Sequence, residues 1–300
     1  MNHKPTIQHW LEYFALRIVI ILIRILPHNV ALGLGGFVGK ILWHLGIRRK
    51  VSRKNFELCF GEKYSRKESE KILSQSYADF CKSMVEFARL PKMRNRTERF
   101  VHLENIDILK KLARDNRGAL LITGHFGSWE LFALALAEAG IKIDVVVGTQ
   151  RNHIVDKFLV EYREKLGIGV IRVGVASRGI LRSLKSGRMV AMLFDQDAGK
   201  SGVIVNFFGN PASTAPGVAV FALKTGCPVI AGHIVRDTTP YEYTHTGFIR
   251  ELKMPEPTDD KEKDISNLTQ FFTDVIQEYI EKYPSQYFWA HRKFKSTIKY

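Results

Sequence analysis

The chain predicts an α/β fold: a single domain with a mixed, mostly parallel central sheet flanked by helices, plus an N-terminal hydrophobic helix that anchors it to a membrane. Three observations predict it. Beyond residue 100, short apolar runs alternate with segments of helical periodicity, the pattern of strands joined by crossover helices. Several of those runs end in turns that carry chemically able side chains: His125, Arg151, Asp195 and Asp197. In open α/β sheets ligands bind at the carboxyl ends of the strands. Finally, residues 10–47 are far more apolar than the rest of the chain.

Within Trp10 to Leu26 the run Ile18-Val-Ile-Ile-Leu-Ile23 is strongly apolar, but Glu12, Arg17 and Arg24 interrupt the segment and Pro27 ends it. It is short for a full span of about 20 residues. Small residues suited to cleavage do not follow, so a secretory signal peptide is not expected. A second apolar segment, Val30 to Ile47, carries Gly33, Gly35, Gly36 and Gly39 and ends in Arg48-Arg49-Lys50. Residues 1–50 are therefore expected to be a membrane anchor with interfacial helices, and residues 51–300 the folded domain. The anchor is either one tilted spanning helix or a pair of helices in the interface, with the basic residues at the headgroups. A buried helical hairpin is the alternative. The glycines suit close helix packing. They do not form a dinucleotide loop, because no strand precedes them.

Ser65 to Leu90 reads as an amphipathic helix, with Ser65 and Glu68 as a capping box and Pro91 as its end. Val101 to Arg114 holds a short strand and a helix. Ala119 to Ile122 is a buried strand, and a helix starts near Ser128 and stops at Gly140. Strands are expected at Ile141–Val147, Ile168–Val173, Met189–Phe194, Val203–Phe208 and Pro228–Val235. The last strand is expected at Tyr241–Ile249. Helices are expected at His153–Leu166 and Ser177–Lys185, up to Lys224, and at Asp259–Lys282. Gly209 to Pro216 reads as a Ser/Thr-containing turn. The tail, Gln286 to Lys295, mixes aromatic residues with cations. It suits an interface belt, a phosphate site, or a docked segment with solvated basic residues.

Charge narrows the partners. The 45 Lys and Arg residues against 30 Asp and Glu leave a formal net charge of +15. Such a field attracts nucleic acid, anionic lipid, phosphorylated sugars or an acidic protein and does not by itself choose among them. The basic residues are dispersed and form no nucleic-acid motif, so no nucleic-acid partner is expected. The cysteines Cys59, Cys81 and Cys227 have neither metal-site spacing nor a pairing pattern, which points to a reducing compartment.

Two constellations carry chemistry. In Gly124-His125-Phe-Gly-Ser-Trp-Glu130, the strand-to-helix turn lets His125 and Glu130 approach each other. On one continuous helix, residues five apart would point about 140° apart. The pair reads either as a general base with an orienting carboxylate or as a structural His with a first-turn Glu. Asp195-x-Asp197 after a strand reads either as the metal site of a nucleotide-sugar glycosyltransferase or as incidental. There is no nucleophile elbow, zinc-protease motif or phosphate-binding Walker loop.

Together these motifs resemble a known family. His125-x4-Glu130 is similar to the H-x4-D/E signature of glycerolipid-type acyltransferases, in the Glu form of the branch that acylates lipid A. The likeness continues through Arg151, Asp195-Gln-Asp-Ala-Gly199, Ser213-Thr214, Pro228 and the Gln286-Tyr-Phe-Trp-Ala-His-Arg-Lys-Phe-Lys295 tail. The chain thus resembles the late acyltransferases of lipid A biosynthesis. That resemblance implies that residues 51–300 are an acyltransferase domain. It implies transfer of a fatty acyl group from acyl carrier protein to a hydroxyl of a lipid A precursor, at the cytoplasmic face of the bacterial inner membrane. Anionic lipids of that membrane are implied partners. His125 would be the general base and Glu130 its orienting carboxylate. Substrate-binding roles fall to Arg151, Asp195, Asp197 and Arg292, and neither cofactor nor metal is required. Two departures matter. The Arg151 loop reads Gly-Thr-Gln-Arg-Asn-His, where many relatives have a Tyr-Arg-Pro-like sequence. Asp-Gln-Asp-Ala-Gly stands where glycerol-phosphate enzymes have Glu-Gly-Thr-Arg, so glycerol 3-phosphate is not the expected acceptor. The alternatives are an acyltransferase on another glycolipid and a metal-dependent glycosyltransferase using Asp195 and Asp197.

Overall fold

A computed structural model describes residues 5–173, 176–237 and 244–300. The chain opens with four helices. α1 (Ile7–Ile25) starts at a Thr6 cap, where the Thr6 hydroxyl accepts from the His9 N–H and the His9 ring accepts from the Thr6 N–H. Leu26-Pro27 breaks it from α2 (His28–His44), and α3 (Arg49–Phe60) follows. α4 (Arg66–Met93) begins at the expected capping box: the Ser65 N–H donates to Glu68 at 2.8 Å and the Glu68 N–H donates back to Ser65.

Pro91 does not end α4 as expected. Its missing N–H should leave the Phe87 carbonyl without a helical donor. The Tyr162 hydroxyl supplies that donor at 2.6 Å, and Arg24 Nε donates to the next carbonyl, Ala88, at 2.7 Å. Tertiary contacts thus carry the helix one more turn.

α2 lies close on α4. A Cβ at Gly39 would sit 2.3 Å from the Tyr77 carbonyl, and one at Gly35 would meet Cys81 and Val85. The glycines at 35, 36 and 39 therefore serve close helix packing, whereas Gly33 faces open space. The opposite sides of α1 and α2 expose large apolar residues, among them Ile7, Phe14, Ile18, Leu22, Phe37 and Leu45. Among the described residues no single helix is long and apolar enough to cross a membrane; α2 with α3 passes by length and composition only as a pair bent by 88°. α1, at 19 residues, is roughly 28 Å long.

The rest is a sandwich of helices on a seven-stranded sheet. Its strands are β1 (Val101–Glu104), β2 (Ala119–Thr123), β3 (Ile143–Val147), β4 (Gly169–Arg172), β5 (Met189–Leu193), β8 (Val229–Arg236) and β9 (His245–Glu251), in the order β1-β9-β8-β2-β5-β3-β4. β8, β2, β5, β3 and β4 are mutually parallel. β9 runs antiparallel to β8 and parallel to β1, so the sheet is mixed, as expected. The strand expected from Tyr241 is described from His245; residues 241–243 lie outside the described residues. Crossover helices α5 (Ile106–Arg114), α6 (Trp129–Glu138), α7 (His153–Glu164), α8 (Ala176–Lys185) and α9 (Gly217–Thr225) cover its faces with α4 and α10 (Lys261–Lys282). One apolar core fills each face, around Leu120, Ile122 and Phe272 on one side and Leu121, Leu131 and Ile230 on the other.

One expected turn is a strand. Asn210–Thr214 forms β7, paired antiparallel with β6 (Val203–Phe207) outside the main sheet. Phe208 and Gly209, both with positive φ, make the two-residue connection. Pro211 is tolerated because a two-stranded ribbon has only edges.

Candidate active site

β2 is central, with β5 and β8 as its neighbours, and every residue of it is buried. Its carboxyl end turns sharply at Gly124-His125-Phe126-Gly127 before α6. Gly127 has φ +54°, and a Cβ there would lie 2.0 Å from the Ile234 carbonyl; both facts require glycine. The C-terminal tail closes this turn from above. The Gly127 N–H donates to the Gln286 carbonyl at 2.9 Å, and the Phe288 N–H donates to the His125 carbonyl at 3.1 Å.

β5 runs beside β2, with Leu193 opposite Thr123, so the residues just beyond both strands meet. Asp195 takes His125 with both oxygens. Oδ2 accepts from the His125 N–H at 3.0 Å, and Oδ1 lies 2.9 Å from Nδ1. The Asp195 side chain is 2% exposed and that of His125 24%, so the pair is buried with one imidazole face open. Burial alone would raise the Asp195 pKa, but the His125 charge and its hydrogen bonds outweigh it, and the carboxyl falls to about 2. Burial alone would lower the His125 pKa, but Asp195, with a smaller contribution from Glu130, raises it. The ring is flanked by Trp129, edge-on at 5.2 Å, and its Nε2 lies 3.3 Å from the Gln196 amide nitrogen.

The carboxylate on the imidazole is thus Asp195, not the expected Glu130. The physical reason is sheet order: Asp195 arrives from the adjacent strand directly beside His125. Glu130, on the first turn of α6, is held by both guanidinium arms of Arg163 on α7, with Nε to Oε2 at 3.0 Å. Arg163 also stacks on Phe87 at 5.1 Å. Glu130 and Arg163 nonetheless line the same cavity as His125.

That cavity, about 720 Å³, runs from His125 between the ends of β2, β3 and β5. Phe87, Trp129, Val145, Ile180, Met192 and Phe221 give it a mainly apolar wall. A larger open recess of about 960 Å³, bounded by α1 and α7, shares no wall residue with it.

The remaining expected site residues are dispersed. Arg151 is exposed in the loop before α7 and does not line the cavity; its charge acts on Glu12 of α1. Asp197 is spent on the chain itself: its carboxylate accepts from the Ser296 hydroxyl at 2.8 Å, the Ser296 N–H and the Gly199 N–H. Among the described residues no group of three or more His, Cys, Asp or Glu side chains is arranged to hold a metal. Arg292 is exposed on the tail, over the Tyr300 ring.

Two functional candidates were not singled out from the sequence. Arg163 lies mid-helix, with no local signal beyond amphipathicity. Lys293 sits in a basic run that reads as solvated, yet it is 3% exposed. Its Nζ donates to the Thr214 hydroxyl at 3.0 Å and lies over Phe207. Burial pushes its pKa down to about 8, against the pull of Asp195 and Asp197. Its buried neighbours Trp289 and Phe294, spaced four and one residues away, are the signal that the segment packs inward.

Sequence comparison identifies the family. The profile described as "Bacterial lipid A biosynthesis acyltransferase" matches residues 1–296. The lipid A biosynthesis palmitoleoyltransferase of Escherichia coli (strain K12) is 28% identical over 96% of this chain and 92% of its own length. The lipid A biosynthesis lauroyltransferase of the same organism is 25% identical over the same shares. The phosphatidylinositol mannoside acyltransferase of Mycolicibacterium smegmatis (strain ATCC 700084 / mc(2)155) is 24% identical over 89% of this chain and 86% of its own. With a match across nearly its whole length, the chain belongs to the bacterial lipid A biosynthesis acyltransferase family and is an acyltransferase.

Proposed function

We propose that the protein transfers a fatty acyl group from acyl carrier protein to a hydroxyl of a lipid A precursor at the cytoplasmic face of the bacterial inner membrane, with His125 as general base. The observation that carries this reading is the His125–Asp195 pair at the mouth of an apolar cavity. A hydroxyl is too weak a nucleophile for a thioester without help. The Nε2 of His125, which lines the cavity, takes its proton in place of the Gln196 amide hydrogen as the oxygen attacks the thioester carbon. The C–O bond forms, the tetrahedral intermediate collapses, the C–S bond breaks, and the imidazolium returns the proton to the leaving thiolate. Asp195 on Nδ1 fixes the tautomer that leaves Nε2 unprotonated, able to accept, and stabilises the imidazolium. Glu130, tied to Arg163, adds negative field at longer range and shapes the cavity wall. The first backbone N–H groups of α6 serve the oxyanion. The apolar cavity takes the acyl chain. The +15 charge suits both the acidic carrier and anionic headgroups.

The exposed apolar sides of α1 and α2 support attachment to the bilayer. A glycosyltransferase is disfavoured: Asp195 is engaged with His125 and Asp197 with Ser296. An acceptor other than lipid A is favoured by one observation, the mannoside acyltransferase relative. The test is acyl transfer from acyl carrier protein to a lipid A precursor, read by mass spectrometry. The wild type should add one acyl chain, and His125→Ala should be slower by roughly 10²–10⁴ while still folded. Near-normal turnover of His125→Ala, or no transfer by the wild type, would sink the proposal.

A further inference from the structure

The C-terminal tail and the α2–α3 junction enclose a second recess, about 580 Å³, lined by Arg48, Val51, His291, Arg292 and Lys295. Among the described residues no carboxylate lines it. Two largely buried arginines are instead paired with acids, Arg163 with Glu130 and Arg236 with Glu86. Arg48, Arg292 and Lys295 have no ion-pair partner among the described residues. Asp197, the nearby acid of the tail contacts, is turned to Ser296 and Gly199. Unpaired cations that converge on a cleft repel one another, and an anion between them removes that cost. Arginine forks match phosphate oxygens in pairs.

Placement says which anion. On one side, Leu45 and Ile47 precede Arg48 and are 70% and 51% exposed, so the recess borders exposed apolar residues just beyond α2. On the other, His291 Nε2 accepts from the Asp197 N–H at 3.2 Å, two residues from the carboxylate that holds His125. Burial keeps His291 toward its neutral form, as that acceptor role requires. Arg48 itself has φ +52°, an unfavoured backbone for a non-glycine residue, which the fold tolerates where it enters the recess.

We infer that this recess binds a phosphomonoester on the sugar headgroup of the acceptor glycolipid, holding the headgroup between the lipid surface and His125. The inference rests on the proposed function. A dianionic monoester suits three cations better than the single charge of a phosphodiester lipid headgroup.

The test compares a phosphorylated lipid A precursor with the same glycolipid after phosphatase treatment, both in neutral detergent. For the wild type, KM should be at least about ten-fold lower for the phosphorylated acceptor. Arg48→Ala with Arg292→Ala, both exposed side chains, should erase most of that preference, with the loss in KM rather than kcat. Equal KM for the two acceptors in the wild type, or an equal loss on both in the variant, would overturn the inference. So would an equal loss of binding to phosphatidylglycerol vesicles, which would make the recess a general headgroup contact. If the wild type acylates neither acceptor, the proposed function fails. Equilibrium binding of the two glycolipids then still decides the recess: a preference for the phosphorylated form that the variant loses supports it, and equal binding refutes it.

Discussion

The corner around His125 carries charge into the interior, whereas α1 and α2 carry hydrocarbon out to the surface. In the corner, Glu130, Asp195 and Lys293 are buried, and each has a partner that offsets its desolvation: Arg163, His125 and Thr214. On α1 and α2, Ile7, Phe14, Leu22 and Phe37 lie open, as does Leu45 just beyond α2, although the rest of the fold buries such residues well. Each region is costly for a protein surrounded by water. Buried charge is tolerated when it is paired and is concentrated where pKa values must be tuned. A contiguous apolar surface is tolerated when lipid or another surface covers it. The difference teaches that one molecule departs from globular rules twice, in a paired buried cluster and in an exposed apolar surface, and the proposed function gives each a use.

Breaking the corner should have the larger effect on kcat. Asp195→Asn leaves the ring without its anionic partner and frees the wrong tautomer, so kcat should fall by roughly 10²–10⁴, measured with saturating donor. Breaking the other region should leave chemistry intact. Phe14→Asp with Ile18→Asp should shift the protein from vesicles toward solution and reduce activity on bilayer-embedded acceptor by about a hundred-fold or more, given the roughly 1.5–3 kcal/mol for each of two large buried side chains. Activity on acceptor in detergent micelles should stay near that of the wild type. Equal losses in bilayer and micelle would mean that α1 supports the fold rather than the membrane contact.

Much of this was legible in the sequence, for local reasons. Ala119–Ile122, the break at Gly124 and the helix from Ser128 follow from an apolar run, a glycine and a change of period, and the fold contains all three. The Ser65 capping box is equally local. What was hidden depends on partners distant in sequence. That Asp195 reaches His125 follows from β5 lying beside β2, a fact of sheet order rather than of either motif. Arg163 is visible only once α7 packs beside α6. Pro91 looked like a helix end because the donors from Tyr162 and Arg24 lie elsewhere in the chain. β7 looked like a turn because its Asn, Pro, Ser and Thr are turn residues, and pairing with β6 overrode that preference.

The central claim, that His125 acts as base under the hold of Asp195, has a direct test in the pH dependence of kcat/KM for the wild type and Asp195→Asn. The base must be neutral to accept a proton, so activity is lost as pH falls through the His125 pKa. Asp195 raises that pKa above its usual value of about 6.5. The wild-type acid limb should therefore lie above pH 6.5, and removing the carboxylate should move it down, with a lower plateau. An acid limb that stays in place in Asp195→Asn, with the plateau unchanged, would contradict the account.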